Sequence, residues 1–357
     1  MNKLNELERK YFEELTQKDA ISGNEKEVAH YLALEYKKLG LELYKDYAGN
    51  IYGIKKGSDS SVKVMIDAHM DEVGFIVKDI KDNGLIIPYP LGGFNFQTLL
   101  SNRVKLTTKN GEKFIGAIDS TPPHLLKGQT QEVNASNLLF DFGFTSKEEA
   151  IANHVGIGDM ITLIGGFEYL NHETRILSKA LDDRYGIILG LSILNELKDV
   201  NLPFDLYVGG STQEEVGLRG LPSAIKNINP DFCFVLDCST AKDSISSSEY
   251  GRIGDGVLLR FIDRTMIANP ALLEFQKEAV INTNGKYQYF ETLGGTNASV
   301  AFSSNCLTLT HCIVARSIHT ASSIMDINDF IYAKNSLLYM LKNLSKEKIL
   351  ELKESKY

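Results

Sequence analysis

Residues 62 to 68 form a nearly continuous apolar run, and this run constrains the fold more than any other feature of the sequence. A strand with one face in solvent alternates apolar and polar residues, whereas a strand buried on both faces is apolar almost throughout. The run therefore predicts a sheet that is covered by helices, which is the arrangement of an α/β fold.

The rest of the chain supplies helices and strands for such a layered domain. Amphipathic helices are predicted at 4–16 and directly after residues 22–25 (SGNE), which have the spacing of a capping box. From residue 180 onward helices alternate with strands. The predicted strands are 204–209, 232–236, 257–261, 287–291 and 307–315, and the predicted helices are 184–197, 221–226, 270–281 and 327–341.

Residues 74 to 166 have a different character. Short β-like runs alternate with glycine, proline and asparagine, and one short helix is predicted near 146–153. We therefore predict a catalytic α/β domain in two parts, 1–73 and 167–357, interrupted by a small, mostly β insertion at 74–166. A length of 357 residues suits two such units.

Charge and composition exclude several partners. The net charge is −8 and no basic stripe is present, which argues against nucleic acid. No run approaches the ~18 apolar residues of a membrane span, and residues 1–17 lack the apolar core of a secretory signal. The four cysteines form no CxxC pair, so we interpret them as buried thiols of a cytoplasmic protein.

Acidic residues and histidines follow the predicted strands. In open α/β sheets, sites form in the crevice outside the carboxyl ends of the strands. An acidic pair at the start of a predicted helix points to the same place. The residues concerned are His69, Asp71 and Glu72 after the first run, Glu214 and Glu215, Asp237, His319, and the Asp182–Asp183 pair.

These residue types suit a site for two divalent metals. Zinc and cobalt take imidazole nitrogen and carboxylate oxygen, and two metals roughly 3.5–4 Å apart share a carboxylate and a water. We expect Asp182 to bridge, with His69 and Asp237 on one metal and Glu215 and His319 on the other. Three carboxylates against two dications leave about one positive charge, which a bridging hydroxide neutralises.

Two further acids have expected roles beside the metals. Glu214 is next to a ligand without being one, so we predict that it is the general base that takes the proton of the water and delivers it to the leaving amine. Asp71, two residues after His69, is expected to accept the second imidazole N–H and to orient the ring.

Each of these residues also has an ordinary structural explanation. The Asp182–Asp183 pair has the composition of a helix cap followed by a first-turn acid. Glu214 and Glu215 would suit a solvated turn, Asp237 a cap, and a lone histidine a hydrogen-bonded position in the core. Independent structural roles do not explain why all of them follow strands, and the pattern as a whole favours the metal site.

Six short motifs stand out in the sequence: 68–75 (AHMDEVGF), 122–126 (PPHLL), 156–159 (GIGD), 179–184 (KALDDR), 213–220 (QEEVGLRG) and 316–320 (RSIHT). Together they resemble the M42 family of metalloaminopeptidases, which includes glutamyl and tetrahedral (TET) aminopeptidases. The resemblance covers nearly the whole chain, and the motifs occur in the expected order.

The resemblance implies a zinc-peptidase-like α/β/α sandwich with an inserted β-barrel-like dimerisation domain. It implies an enzyme that removes the N-terminal residue from short peptides with a free amine. The enzyme would use two divalent metal ions, zinc or cobalt as the first candidates and manganese as a further one. It also implies dimers, often assembled into dodecamers. The family's functional residues fall on the seven positions assigned above, and the peptide bond between Asp182 and Asp183 is expected to be cis.

Two positions depart from the family pattern. Asn297 stands where relatives commonly carry aspartate, and Ser317 stands where an aromatic residue is common. Both lie beside the expected site and bear on substrate preference and assembly more than on metal binding.

Three other functions compete with the aminopeptidase hypothesis. The first is a catalytically silent or regulatory relative with the same fold, which the complete residue set disfavours. The second is an endoglucanase-type glycoside hydrolase with an acid/base pair; that chemistry does not use His69 or His319, and the chain has no tryptophan for a sugar platform. The third is a metal-dependent deacylase or carboxypeptidase, which would act on N-blocked substrates.

Overall fold

A computed structural model of the chain describes residues 3–127, 132–245 and 250–355. Its helices are α1 (Glu6–Leu15), α2 (Lys26–Lys38), α3 (Pro123–Leu126), α4 (Lys147–Ala152), α5 (Leu181–Glu196), α6 (Leu221–Ile228), α7 (Pro270–Asn282), α8 (Ala298–Ser303), α9 (Ile327–Lys342) and α10 (Lys346–Glu354). Its strands are β1 (Glu42–Lys45), β2 (Ile51–Lys55), β3 (Lys63–His69), β4 (Gly74–Ile80), β5 (Ile86–Leu91), β6 (Arg103–Thr107), β7 (Lys113–Ile118), β8 (Phe140–Asp141), β9 (Met160–Leu163), β10 (Phe167–Leu170), β11 (Arg175–Ser178), β12 (Asp205–Ser211), β13 (Phe232–Thr240), β14 (Val257–Ile262), β15 (Tyr287–Glu291), β16 (Leu307–Ala315) and β17 (Ser323–Asp326).

An eight-stranded sheet forms the centre of the larger part. Its strand order is β1-β2-β12-β3-β13-β16-β14-β15. The four strands from β12 to β16 in this order are parallel, and β2 and β14 pair with them in the antiparallel sense. The carboxyl ends of the four parallel strands therefore meet at one edge of the sheet.

Both faces of the sheet are covered by helices, as the apolar run at 62–68 predicts. Val64, Ile66 and Ala68 of β3 pack into a core shared with α1, α2, α5, α7 and α9. Met65, on the opposite face, packs with α6 and α8. The predicted α/β/α sandwich is confirmed, and its central strands β3, β13 and β16 are mostly apolar because both faces are buried.

The β-rich stretch forms a closed six-stranded barrel, with the strand order β4-β5-β8-β7-β6-β9. Its interior is a separate core that includes Phe75, Val104 and Phe140. The rings of Phe75 and Phe140 meet edge to face at 4.9 Å between centroids, a favourable aromatic geometry. All barrel strands lie within the predicted insertion at 74–166.

A cluster of charges around the buried Asp19 joins the barrel to the sandwich. Asp19 is 1% exposed and accepts hydrogen bonds from Lys105 (2.7 Å), Lys113 (3.3 Å) and Thr162 (3.0 Å) of the barrel. Lys179, just before α5, lies 3.4 Å from the same carboxylate. Burial acts to raise the pKa of Asp19, but the charges of these lysines outweigh burial and hold the pKa below its usual value.

The fold differs from the sequence predictions in several places, among them the unpredicted helix α8 and the two features that follow. The strands β10, β11 and β17 form a three-stranded antiparallel sheet that was not predicted, because β17 lies far along the chain from its partner β11. The predicted capping box at 22–25 is wrong: α2 begins at Lys26, and the Ser22 side chain bonds to Asp71 instead. Tertiary contacts override the local capping preference at that point.

The described residues contain no helix with the length and apolar character needed to cross a membrane. The four cysteines are buried free thiols.

His311 of β16 is a fully buried histidine of the sandwich core, and its ring faces α7 and α9. Its Nε2 lies 2.9 Å from the main-chain oxygen of Ala333, and its Nδ1 lies 3.0 Å from the side-chain nitrogen of Gln276. One acceptor and one donor suit a neutral imidazole with its proton on Nε2. Burial lowers the pKa of His311 to about 4.

We predict that His311 makes the fold sensitive to acid. The pKa of His311 in the folded protein lies below the unfolded value of about 6.5. The contribution of His311 to the free energy of unfolding is therefore complete above pH 6.5 and is lost as the pH falls toward 4. The size of that loss is about 3 kcal/mol. Glutamine cannot take up a proton, so His311→Gln should flatten the pH dependence of unfolding while lowering stability at pH 7.5.

The measurement is urea unfolding of the metal-free protein between pH 4.5 and 7.5. His30→Gln, which removes an exposed histidine from α2, serves as the control. An equally steep loss of stability in His311→Gln and in the wild type would contradict the prediction.

Candidate metal centre

Side chains from several elements converge at the carboxyl edge of the sheet. His69 ends β3, and Glu214 and Glu215 follow β12. His319 follows β16, whereas Asp237 lies inside β13 rather than beyond it. Two groups of possible donor atoms, each within 4.8 Å, result from this convergence: His69, Asp182 and Asp237, and Asp182, Glu215 and His319.

The Asp182 carboxylate is common to both groups. Its Oδ1 lies 3.1 Å from Nε2 of His69, and its Oδ2 lies 3.3 Å from Nε2 of His319. Glu215 Oε1 lies 3.2 Å from the same nitrogen of His319. One carboxylate therefore faces two histidines that come from distant parts of the chain.

Both histidines are held through their other ring nitrogen. His69 Nδ1 lies 2.9 Å from the main-chain oxygen of Asp71, closer than the 3.5 Å to the carboxylate of that residue. His319 Nδ1 lies 2.7 Å from the main-chain oxygen of Gly93, in the loop after β5. Because a carbonyl can only accept, Nδ1 carries the proton in each ring, and Nε2 faces the acids.

The carboxylate of Asp71 holds the turn that carries the two glutamates. Its Oδ1 accepts a hydrogen bond from the amide of Glu214 at 3.0 Å, and its Oδ2 accepts from the amide of Glu215 at 3.2 Å. Ser22 donates its hydroxyl to the same carboxylate at 2.6 Å. The carboxylate of Asp71 therefore fixes the backbone of the turn, while the main-chain oxygen of the same residue holds the His69 ring.

The two adjacent aspartates have different partners, which separates the two roles that the sequence suggested for the pair, metal ligand and helix cap. Asp182 faces the histidines, while Asp183 accepts hydrogen bonds from the amides of Gly186 (3.0 Å) and His69 (3.3 Å). Asp183 thus caps the helical part of α5, and a Cβ at Gly186 would lie 2.5 Å from its carboxylate. The peptide bond between the two aspartates is cis, as the resemblance implies.

The pKa values at the site reflect many buried charges in little space. Burial, then the neighbouring Asp182, raises the pKa of Asp237 to about 7, and burial together with nearby acids raises the pKa of Glu214 well above its usual value. Burial acts to lower the pKa of His319, but the negative charges of Asp182 and Glu215 beside its ring outweigh burial and raise the pKa to about 11. The negative charges of the acids thus strongly stabilise the positively charged form of the neighbouring histidines.

The donors fit divalent metal ions. Two imidazole nitrogens and three carboxylates are the ligands that zinc and cobalt take. Glu215 Oε1 is buried and accepts no hydrogen bond, despite its short distance to His319. A buried carboxylate oxygen without a donor is costly, and a bound cation would remove that cost.

A pocket of about 490 Å³ opens above these residues. Its lining includes two arginines that the sequence reasoning missed, Arg260 of β14 and Arg264 in the following loop. Arg260 is 3% exposed, and its guanidinium lies 3.1 Å from Asp263 and 3.2 Å from the main-chain oxygen of Gly294. Arg260 lies near the end of the strand predicted at 257–261. The same kind of position, at the end of a predicted strand, identified the other site residues and could have identified Arg260.

Both departures from the family pattern lie beside this pocket. The amide nitrogen of Asn297 is 2.9 Å from Asp67 and 2.8 Å from the hydroxyl of Ser211, in a buried group under the sheet edge. Ser317 has a positive φ of 55°, and its main-chain oxygen accepts hydrogen bonds from Thr320 and Ser323. Neither residue belongs to the two donor groups.

An α/β sandwich with histidines and acids gathered at the strand ends defines the class of metal-dependent hydrolases. Residues 49–335 match the profile of the M42 glutamyl aminopeptidase family. The chain is 36% identical over 345 residues to the glutamyl aminopeptidase of Lactococcus lactis, covering 95% of this chain and 97% of that protein. The chain therefore belongs to the M42 family of metal-dependent aminopeptidases.

Solved structures agree with this assignment. The TET aminopeptidase of a marine sediment archaeon of the Thaumarchaeota superposes with a TM-score of 0.92 at 29% identity, covering 97% of this chain and all of that one (100%). The TET1 peptidase of Pyrococcus horikoshii, which can assemble into a tetrahedron or a large octahedral shell, superposes with a TM-score of 0.85 at 25% identity, covering 94% of this chain and 99% of that one.

Proposed function

We propose that this protein removes the N-terminal residue from short peptides with the help of two divalent metal ions. In this proposal Asp182 bridges the ions, His69 and Asp237 hold one, and Glu215 and His319 hold the other. The observation that carries it is the geometry of Asp182, whose two oxygens face the Nε2 atoms of different histidines at 3.1 and 3.3 Å. Zinc and cobalt suit these donors first, with manganese as a further candidate.

Ions held there would polarise the scissile carbonyl and acidify a water molecule. The chain itself would supply the proton transfers, and Glu214 is the residue proposed for them. Its side chain lines the pocket beside Asp182 and Asp237 without belonging to either donor group. Its backbone is fixed by Asp71, so that the carboxylate has a defined position for taking a proton and passing it to the leaving amine.

The pocket favours substrates with an acidic N-terminal residue. Arg260 and Arg264 line the same cavity as the donor groups, and the cation of Arg260 is held in place by Asp263. A guanidinium pairs with a carboxylate through charge-assisted hydrogen bonds, often two at once. The name of the Lactococcus relative, glutamyl aminopeptidase, agrees with this preference.

The proposal includes assembly and location. The barrel is the proposed dimerisation domain, and the named assemblies of the Pyrococcus horikoshii relative support a homo-oligomer, up to a dodecamer. The cytoplasmic location predicted from the cysteines stays a prediction.

The test of the overall proposal combines metal analysis with activity. We expect about two metals per chain, and hydrolysis of free-amine amino-acid p-nitroanilides that EDTA abolishes and zinc or cobalt restores. Two metals without activity would favour the silent relative, and activity on N-blocked substrates alone would favour the deacylase or carboxypeptidase. Glucan hydrolysis that resists EDTA would favour the glycosidase, and failure to bind metal would contradict the site.

Glu214→Gln tests the proposed base. The variant should bind metal normally and keep its fold, while kcat falls by at least ~10²-fold because no group of suitable basicity replaces the carboxylate. Glu168→Gln, an exposed acid on β10, is the control and should keep wild-type kcat. Loss of metal in Glu214→Gln would show that Glu214 is a ligand instead.

Arg260→Gln and Arg264→Gln test the substrate preference. Each should lower kcat/KM for glutamyl p-nitroanilide by about tenfold or more, the usual scale for one charge-assisted hydrogen bond. Hydrolysis of the leucyl substrate reports on the integrity of each variant and should change by much less. An equal loss on both substrates would argue against carboxylate recognition.

A further inference from the structure

The segment between α1 and α2 reaches the floor of the candidate site. Residues 21–25 (ISGNE), which we call the hook, run beside the end of β3, where Ile21 forms a parallel bridge with Glu72. The amide of Glu72 donates to the main-chain oxygen of Ala20 at 2.8 Å. The hook is thereby attached next to Asp71, although about 50 residues separate the two in the sequence.

Two side chains of the hook point toward the turn that carries Glu214. Ser22 donates its hydroxyl to Oδ2 of Asp71 at 2.6 Å. Glu25 Oε1 accepts hydrogen bonds from the amides of Gly23 at 2.7 Å and of Gln213 at 3.1 Å. Both residues are more than nine-tenths buried, at 8% and 7% exposure.

As a result, three successive amides of the turn each donate to a buried carboxylate. Gln213 donates to Glu25, and Glu214 and Glu215 donate to Asp71. Gln213 has a φ of 54°, in the left-handed region that residues other than glycine seldom adopt. The hydrogen bond to Glu25 compensates for the energetic cost of this conformation. The left-handed conformation of Gln213 in turn directs the side chains of Glu214 and Glu215 into the site.

We propose that Ser22 and Glu25 are positioning residues that hold Glu214 and Glu215 in their reactive arrangement. This inference rests on the proposed function, because it assigns the hook a purpose in the reaction. Neither side chain belongs to the donor groups or lines the pocket. Glu25 therefore acts through the backbone of Gln213, and Ser22 acts through the Asp71 carboxylate, which holds the amides of residues 214 and 215. A displacement of about 1 Å in a reacting group can cost ~10²-fold in rate, which makes such support matter.

The test compares Ser22→Ala and Glu25→Ala with Glu25→Gln and Glu27→Gln. Glutamine keeps the oxygen that accepts from Gly23 and Gln213, so Glu25→Gln should rescue most of the activity. Glu27→Gln is the matched control, because Glu27 also bonds to a backbone amide, that of Asp19, near the start of the same helix but does not touch the turn. In both alanine variants we expect kcat to fall by about tenfold or more with KM changed by less than about threefold.

A second measurement does not depend on activity. Hydrogen exchange of the metal-free protein should be faster in the peptide that contains residues 213–215 in both alanine variants, and unchanged there in Glu27→Gln. Peptides from β13 and β16 report on the integrity of the fold in the same experiment.

Each outcome has a defined meaning. A fall in kcat together with faster local exchange supports the positioning role. Unchanged kcat in both alanine variants, or a fall that Glu25→Gln fails to rescue, overturns it. A wild-type protein without aminopeptidase activity would overturn the proposed function instead, while the exchange data would still report on whether the hook holds the turn.

Discussion

The buried carboxylate of Asp71 is the interaction on which the rest of the site depends. It accepts hydrogen bonds from two successive amides of the glutamate turn and from Ser22. The main-chain oxygen of the same residue lies 2.9 Å from Nδ1 of His69. Three chain segments thus meet at Asp71: the end of β3, the turn after β12, and the hook (residues 21–25). Each bond replaces one that water would supply, and a buried charge left without them would be costly.

The site gathers more negative charge than a stable core would hold. Asp182, Asp183, Glu215 and Asp237 are all buried or nearly so, and burial raises the pKa values of most of them. The exception is Asp182, where burial also acts to raise the pKa but the bonds from two histidines lower it. Such an arrangement serves binding better than stability, and it is the local conflict expected at a functional site.

The site also depends on how the barrel sits against the sandwich. His319 is held by the main-chain oxygen of Gly93, which belongs to the inserted β-rich stretch. The buried Asp19 accepts from barrel residues and lies beside Lys179, and Lys179 in turn bonds to Glu72 at 2.8 Å, next to Asp71. Buried and half-buried charges therefore link the barrel to the segment that carries Asp71.

The sequence by itself determined most of the elements of the sandwich and the chemistry of the donors. Strands β15 and β16 begin and end where the apolar pattern predicts, and the donors His69, Glu215 and His319 lie at or beyond strand ends because parallel strands share one carboxyl edge. Only the tertiary structure decided which partner each side chain meets. Ser22 has the spacing of a helix cap yet bonds to Asp71, and Arg260 reaches the pocket because β14 lies beside β16. Those contacts join residues far apart in the chain, and local pattern carries no information about them.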